Sequence, residues 1–153
     1  MNWSVVIPTL NEAGMVSRAI ESALEAGAHE VIVADGGSAD DTIPISIAAG
    51  ATVTASTPGR GPQLNSGARA SSGAILLFLH ADNWLSKACG EQIDEAFRAG
   101  NEFCCFRQTI DHPAWVYRFI EKGNTFRAKF QRLPYGDQGI CTTRRAFERI
   151  GGF

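Results

Sequence analysis

The sequence predicts an α/β protein with a mostly parallel sheet and flanking helices, and three observations carry that prediction. Short apolar runs, sized for strands buried on both faces, alternate with stretches whose apolar residues recur at helical spacing. The strongest run, Ala74-Ile75-Leu76-Leu77-Phe78-Leu79, passes with no spacer into His80-Ala81-Asp82. Polar clusters at 9–12, 35–41 and 80–83 each follow a strand directly. Right-handed crossovers bring such loops to one sheet edge, where open α/β sheets take their ligands.

Residues 4–8 form a buried strand ending at Pro8. Val16, Ala19, Ile20, Ala23 and Leu24 then make an amphipathic helix stripe, and Gly27 is placed to cap it. Residues 30–34 are the second strand. Asp35-Gly36-Gly37 permits a tight turn, and Asp40 or Asp41 can cap a short helix that stops near Gly50. A weaker strand at 51–55 leads to the loop 58–62, with Pro62 suited to a helix's first turn. That helix carries Leu64, Asn65, Ala68 and Arg69 and ends near Gly73. After the central strand come a helix over 86–99, a strand over 102–109 and a helix over 113–130. The aromatic stripe of this last helix is expected to pack on the sheet. A short strand at 140–143 and a helix at 144–150 close the series.

The chain has 153 residues, 44% hydrophobic and 20% charged, which suits one soluble globular domain. No apolar run approaches the roughly 20 residues of a membrane span, and the first residues lack the features of a signal peptide. Cys89, Cys104, Cys105 and Cys141 form no CxxC pair. Reduced thiols in the cytoplasm fit better than zinc or a disulfide framework. Residues 1–106 carry a charge of −7 and residues 107–153 carry +5. That asymmetry suits either an anionic partner near the C-terminal third or a solvated helix face.

One edge then holds Glu12, Asp35, Asp40, Asp41 and Asp82. Acidic groups hold a phosphate only through a cation, and Asp82 is a natural ligand for a hard divalent ion that also binds phosphate oxygens. Asp82 could instead open a turn or cap the next helix. Arg60 and Arg69 could add positive charge. A metal-bridged nucleotide diphosphate satisfies both signs. Neither a Walker loop nor GxGxxG after the first strand is present.

VVIPTLNEA, VIVADGGSADDT, GRGPQLNSGARASSGAILLFLHAD and RRAFERIGGF, in that order, resemble the family 2 glycosyltransferases of the GT-A fold. LHAD and YGDQG resemble the bacterial subgroup named for radical-SAM and selenium-related genes. The resemblance implies inverting transfer of a sugar from a UDP- or GDP-type nucleotide-sugar, with Mg or Mn. It makes Pro8, Thr9, Asn11 and Glu12 the first nucleotide-contacting loop and Asp35 the acid that reads the base. Gly37 and Ser38 match the loop beside it, and Arg60, Asn65 and Gly67 the segment over the nucleoside and diphosphate. Asp82 matches the metal-binding member of the DxD motif. His80 replaces the leading Asp, as a second ligand or as a residue that hydrogen-bonds the loop.

The resemblance divides the chain at residue 106, into a nucleotide-sugar-binding half and a partial acceptor half at 107–153. Similar proteins follow GGF with an acidic motif that supplies the base, and here the sequence stops at Phe153. Asp137 is the remaining candidate base, or else it closes the 135–139 turn. Three functions compete: a glycosyltransferase, a catalytically inert nucleotide-sugar-binding module, and a nucleotidyltransferase. The acceptor is open, with a phosphorylated lipid as one class. The basic 107–149 segment either packs with its charges in water or lies on an anionic surface at the inner face of the membrane. No nucleic-acid partner is expected.

Overall fold

The computed structural model describes residues 1–111, 113–126 and 138–153. Among the described residues six strands form one sheet: β1 (Trp3–Thr9), β2 (Glu30–Asp35), β3 (Thr52–Ala55), β4 (Ile75–Phe78), β5 (Phe103–Cys105) and β6 (Ile140–Thr143). Their spatial order is β3-β2-β1-β4-β6-β5. The first four are parallel, while β6 runs antiparallel to both β4 and β5. The chain steps outward from β1 to β3, then returns to place β4 on the other side of β1. The resulting switch point lies between β1 and β4, at their carboxyl ends.

Side chains alternate across the sheet. On one face Val5, Ile7, Val31, Val33, Ile75 and Leu77 meet α1 (Val16–Glu25) and α4 (Cys89–Arg98). On the other Val6, Leu76 and Phe78 meet Leu64 and Ala68 of α3 (Arg60–Ala70) and Phe147 of α6 (Arg144–Arg149). The short α2 (Thr42–Ala48) flanks the first face through Ile45. Gly67 lets α3 approach closely: a Cβ there would lie 2.3 Å from Val6 Cγ1. Arg144 fastens the far end of α3, donating to the carbonyls of Ala68, Ser71 and Gly73 at 2.9 Å each. This satisfies carbonyls that a helix end leaves without partners.

Three expectations change. The strand expected at 102–109 is only Phe103–Cys105. After the Phe106 amide bonds Gln138 O, the chain leaves the sheet, and the Glu121 carboxylate takes the Ile110 amide at 2.6 Å. The helix expected from residue 86 begins at Cys89, because a turn closed by the Cys89 amide on Ser86 O precedes it. The third change is the orientation of α5 (Trp115–Phe126): its one buried residue is Glu121, while Trp115 and Phe119 are 73% and 66% exposed. Glu121 turns inward because Arg118 and the Ile110 amide pair with it. The apolar stripe therefore faces outward instead of packing on the sheet. The four thiols are free, and Cys104 stands opposite Cys141 in the β5–β6 register.

Candidate functional site

The loops after β1 and β2 are stitched together residue by residue. Thr9 Oγ1 donates to Asp35 Oδ1 at 3.1 Å, and the Gly36 amide donates to Thr9 O at 2.9 Å. The Asn11 amide donates to Ser38 Oγ at 2.9 Å, and Asn11 Oδ1 accepts the Ala39 amide at 2.8 Å. Asn11 has φ 59°, a left-handed conformation that Asn tolerates better than most residues. The Glu12 amide donates to Thr42 Oγ1 and the Ala13 amide to Asp40 Oδ2. Pro8 stands beyond the last β1–β4 pair, Val6 with Phe78, so the sheet needs no N–H from it on that side.

Asp35 is buried at the end of β2. Its Oδ2 accepts the amides of Gly37 and Ser38, each at 2.8 Å, and its Oδ1 accepts the hydroxyls of Ser38 and Thr9. A carboxylate offers about four acceptor positions, so all are engaged. Burial pushes this carboxyl up, but the Ser38 hydroxyl and amide, the Gly37 amide and the Thr9 hydroxyl together hold it below its ordinary value. Asp40 is likewise held low, chiefly by the Thr42 hydroxyl. Two of the five carboxylates expected at this edge thus serve the loops themselves.

The α3 residues expected over the nucleotide separate. Arg60 is exposed at the helix start, on the site edge. Asn65 turns to the C-terminal residues, donating to Phe153 O at 2.9 Å and accepting the Phe153 amide at 3.0 Å. Gly67 faces Val6 in the core. Arg69 lies in the last turn, nine residues beyond Arg60 and so about 13 Å along the axis. It adds no charge to this edge. Gln63, which the sequence reading missed, is buried and donates from Nε2 to Thr9 O at 2.6 Å and Ala34 O at 2.9 Å. Its signal was a polar residue on the inward stripe of α3, four positions before Gly67.

Beyond β4 the Asn83 amide closes a turn on His80 O at 3.1 Å. His80 is half-buried and Asp82 exposed. Asp82 has no hydrogen bond or ion pair among the described residues, and these contain no cluster of three or more His, Cys, Asp or Glu that could hold a metal. The donor set nonetheless fits a hard cation that takes one open carboxylate and completes its shell with diphosphate and water oxygens. A cleft of about 350 Å³ adjoins Asp82, with Asn83, Trp84, Arg107 and Gln138 in its walls. A larger space of about 1060 Å³ lies farther out, between Trp84 and Arg118, and does not touch Asp82. Asp137 lies outside the described residues.

The same arrangement of strands occurs in known proteins. The model of the family described as Glycosyl transferase family 2 matches residues 4–150. Glucosyl-3-phosphoglycerate synthase of Mycobacterium tuberculosis (strain CDC 1551 / Oshkosh) is 36% identical over 52% of this chain and 28% of that protein. A solved structure of the M. tuberculosis synthase, in complex with Mn2+, UDP-glucose and phosphoglyceric acid, superposes with a TM-score of 0.67 at 23% identity. It covers 94% of this chain and 57% of that one. S. aureus TarS 1-349 superposes with a TM-score of 0.73 at 16% identity, over 99% of this chain and 49% of that one. At these identities the superpositions show the fold. The chain spans 28% of the curated relative's length and about half of the solved chains. These relatives are not the radical-SAM-associated subgroup that LHAD and YGDQG suggested, so the match carries the family and not that subgroup. With 147 of its 153 residues covered by the family model, from Ser4 to Ile150, the chain belongs to glycosyl transferase family 2.

Proposed function

We propose that the chain binds a nucleotide-sugar of UDP or GDP type across the β1–β4 switch point and serves an inverting sugar transfer. The observation that carries this reading is the open Asp82 carboxylate, set at the switch point between two interlocked loops and a cleft. Pro8, Thr9, Asn11 and Glu12 with Asp35, Gly37 and Ser38 form the wall for base and ribose, and Arg60 supplies a cation at its rim. Asp82, with His80 beside it, would hold the divalent ion. A Mn or Mg ion held there would supply Lewis-acid neutralisation of the charge on a departing diphosphate. The Mn2+ and UDP-glucose in the relative's solved complex support that choice.

The cleft beside Asp82 would take the acceptor; the relative's solved complex holds phosphoglyceric acid together with UDP-glucose. Asp137 is the proposed base that removes the proton from an acceptor hydroxyl as it attacks the anomeric carbon. Residues 1–106 act as the donor half and 107–153 as part of the acceptor half. A second reading is a nucleotide-sugar-binding module that does not transfer the sugar. Donor hydrolysis separates the two. Slow release of free sugar from UDP-glucose with Mn supports an enzyme, while tight donor binding with no release supports the module.

A peripheral contact with an anionic bilayer is part of the same proposal. Its support is the outward face of α5, where Trp115, Val116, Phe119, Ile120 and Phe126 are exposed beside Lys122, in a region of net charge +5.

A further inference from the structure

We infer that Gln63 is the base-reading residue of this site, its Oε1 accepting a ring N–H of the nucleotide base. The inference rests on the nucleotide-sugar reading above and adds the residue and the base chemistry. Asp35 is expected by resemblance to read the base, yet its carboxylate already accepts four donors, from Thr9, Gly37 and Ser38. Taking a fifth would mean surrendering one that holds the loop. Gln63 is differently placed. Its Nε2 lies 2.6 Å from Thr9 O and 2.9 Å from Ala34 O, so both amide hydrogens are spent on carbonyls. Two acceptors on that side also fix which way the amide points, since an oxygen there would face two other oxygens.

Oε1 is left without a protein donor among the described residues. Gln63 as a whole keeps 5% of its surface exposed. The amide sits against Gly36, where a Cβ would lie 2.9 Å from Nε2 and 3.4 Å from Pro58 Cα. It therefore occupies the crevice between the ends of β1 and β2 and the loop before α3. Arg60 is three residues earlier, on the same side of the first helical turn. The pair offers one acceptor beside one cation. Uracil and guanine present the complement, a ring N–H next to a carbonyl oxygen. Cytosine presents an acceptor nitrogen at that ring position and would set it against Oε1. The site should therefore take a base with a ring N–H.

The test is calorimetric titration with Mn of UDP, CDP and UDP methylated at uracil N3. The unmodified protein is expected to bind UDP about tenfold or more tightly than the other two. In Gln63→Met, which has similar length and no acceptor oxygen, the methyl penalty should disappear. A purely structural role would weaken all three ligands alike and leave their ratios unchanged. A methyl penalty undiminished in Gln63→Met overturns the assignment and returns the role to Asp35. Failure of the unmodified protein to bind any nucleoside diphosphate overturns the nucleotide reading itself. If Gln63→Met does not fold, NMR of the unmodified protein decides. UDP should shift the Gln63 Cδ resonance and N3-methylated UDP should not, and equal responses reject the role.

Discussion

Asn65 holds the backbone of Phe153 at two points, through Nδ2 on its carbonyl at 2.9 Å and Oδ1 on its amide at 3.0 Å. This clasp ties the helix that opens with Arg60 to the Gly151-Gly152-Phe153 segment. The Phe153 ring then packs edge-on against Phe78 at the end of β4, with centroids 4.9 Å apart. A residue expected to touch the nucleotide is thus committed to positioning the stretch that follows α6. Gly152, with φ 85°, fits beneath it, since a Cβ there would lie 2.5 Å from Asn65 Oδ1. Asn65→Leu removes both bonds and should cost about 1–2 kcal/mol of stability, moderated by their exposure. Chemical unfolding would measure the loss, and amide exchange at Phe153 should quicken. An unchanged exchange rate would show that the clasp does not hold the segment.

The Asp35 carboxyl gives the fold a pH dependence whose direction follows from its partners. In the folded chain it titrates below its ordinary value because Ser38, Gly37 and Thr9 donate to the ionised form. Its contribution is therefore complete above the unfolded value, about pH 4, and is lost as pH falls through the lower folded value. Asp35→Ala should flatten that acid limb in urea titrations between neutral and acidic pH. It should also cost about 1–3 kcal/mol at neutral pH by stranding the Gly37 and Ser38 amides. An acid limb as steep as in the unmodified protein would assign it to other carboxylates, of which Glu30 and Asp40 are also held low.

Asp82 carries the metal prediction. UDP at one hundred times its dissociation constant, with Mn, should raise stability by about 2.7 kcal/mol. Asp82→Ala should remove the Mn-dependent part and leave the metal-free protein as stable as before, since the carboxylate is exposed and bonds to no described residue. An undiminished Mn response in a thermal-shift titration would exclude Asp82 as ligand.

The parts legible in the sequence were those set by burial on two faces. The runs at 4–8, 30–34 and 74–79 have few alternatives to central parallel strands, and they became β1, β2 and β4. The three polar loops followed from topology once those strands were fixed. Partner choice was not legible. Nothing in the sequence shows that Asp35 spends its acceptors on Gly37 and Ser38, that Gln63 reaches two carbonyls, or that Gly67 faces Val6. Those contacts join residues that only the folded chain brings together. Gly67→Ala tests the last of them. Its new Cβ would meet Val6 Cγ1 at 2.3 Å, so a loss of about 1–3 kcal/mol is expected by equilibrium unfolding. A neutral result would mean that α3 can move away from the sheet without loss.

The outward face of α5 shows why periodicity alone misled. The stripe correctly marked an amphipathic helix, but periodicity does not say which side meets the protein. Glu121 settles it by pairing inward with Arg118 and the Ile110 amide, leaving Trp115 and Phe119 stacked edge-to-face in solvent at 5.5 Å. Large exposed aromatics beside cations suit the boundary of an anionic bilayer, where ring bodies are buried and charges meet headgroups. Arg118 is already paired, so Lys122 and the wider +5 region would carry any attraction to such a surface. Each such cation contributes about 1 kcal/mol near the surface and is screened by salt. Co-sedimentation with phosphatidylserine vesicles should be strong at low salt and weaker at high salt. Phe119→Ser should reduce it at both, because the apolar contribution is not screened. Equal, negligible binding to neutral and anionic vesicles at low salt would reject the bilayer as partner of this face. A monomer–dimer shift by analytical ultracentrifugation, absent in Phe119→Ser, would assign the face to a second copy instead.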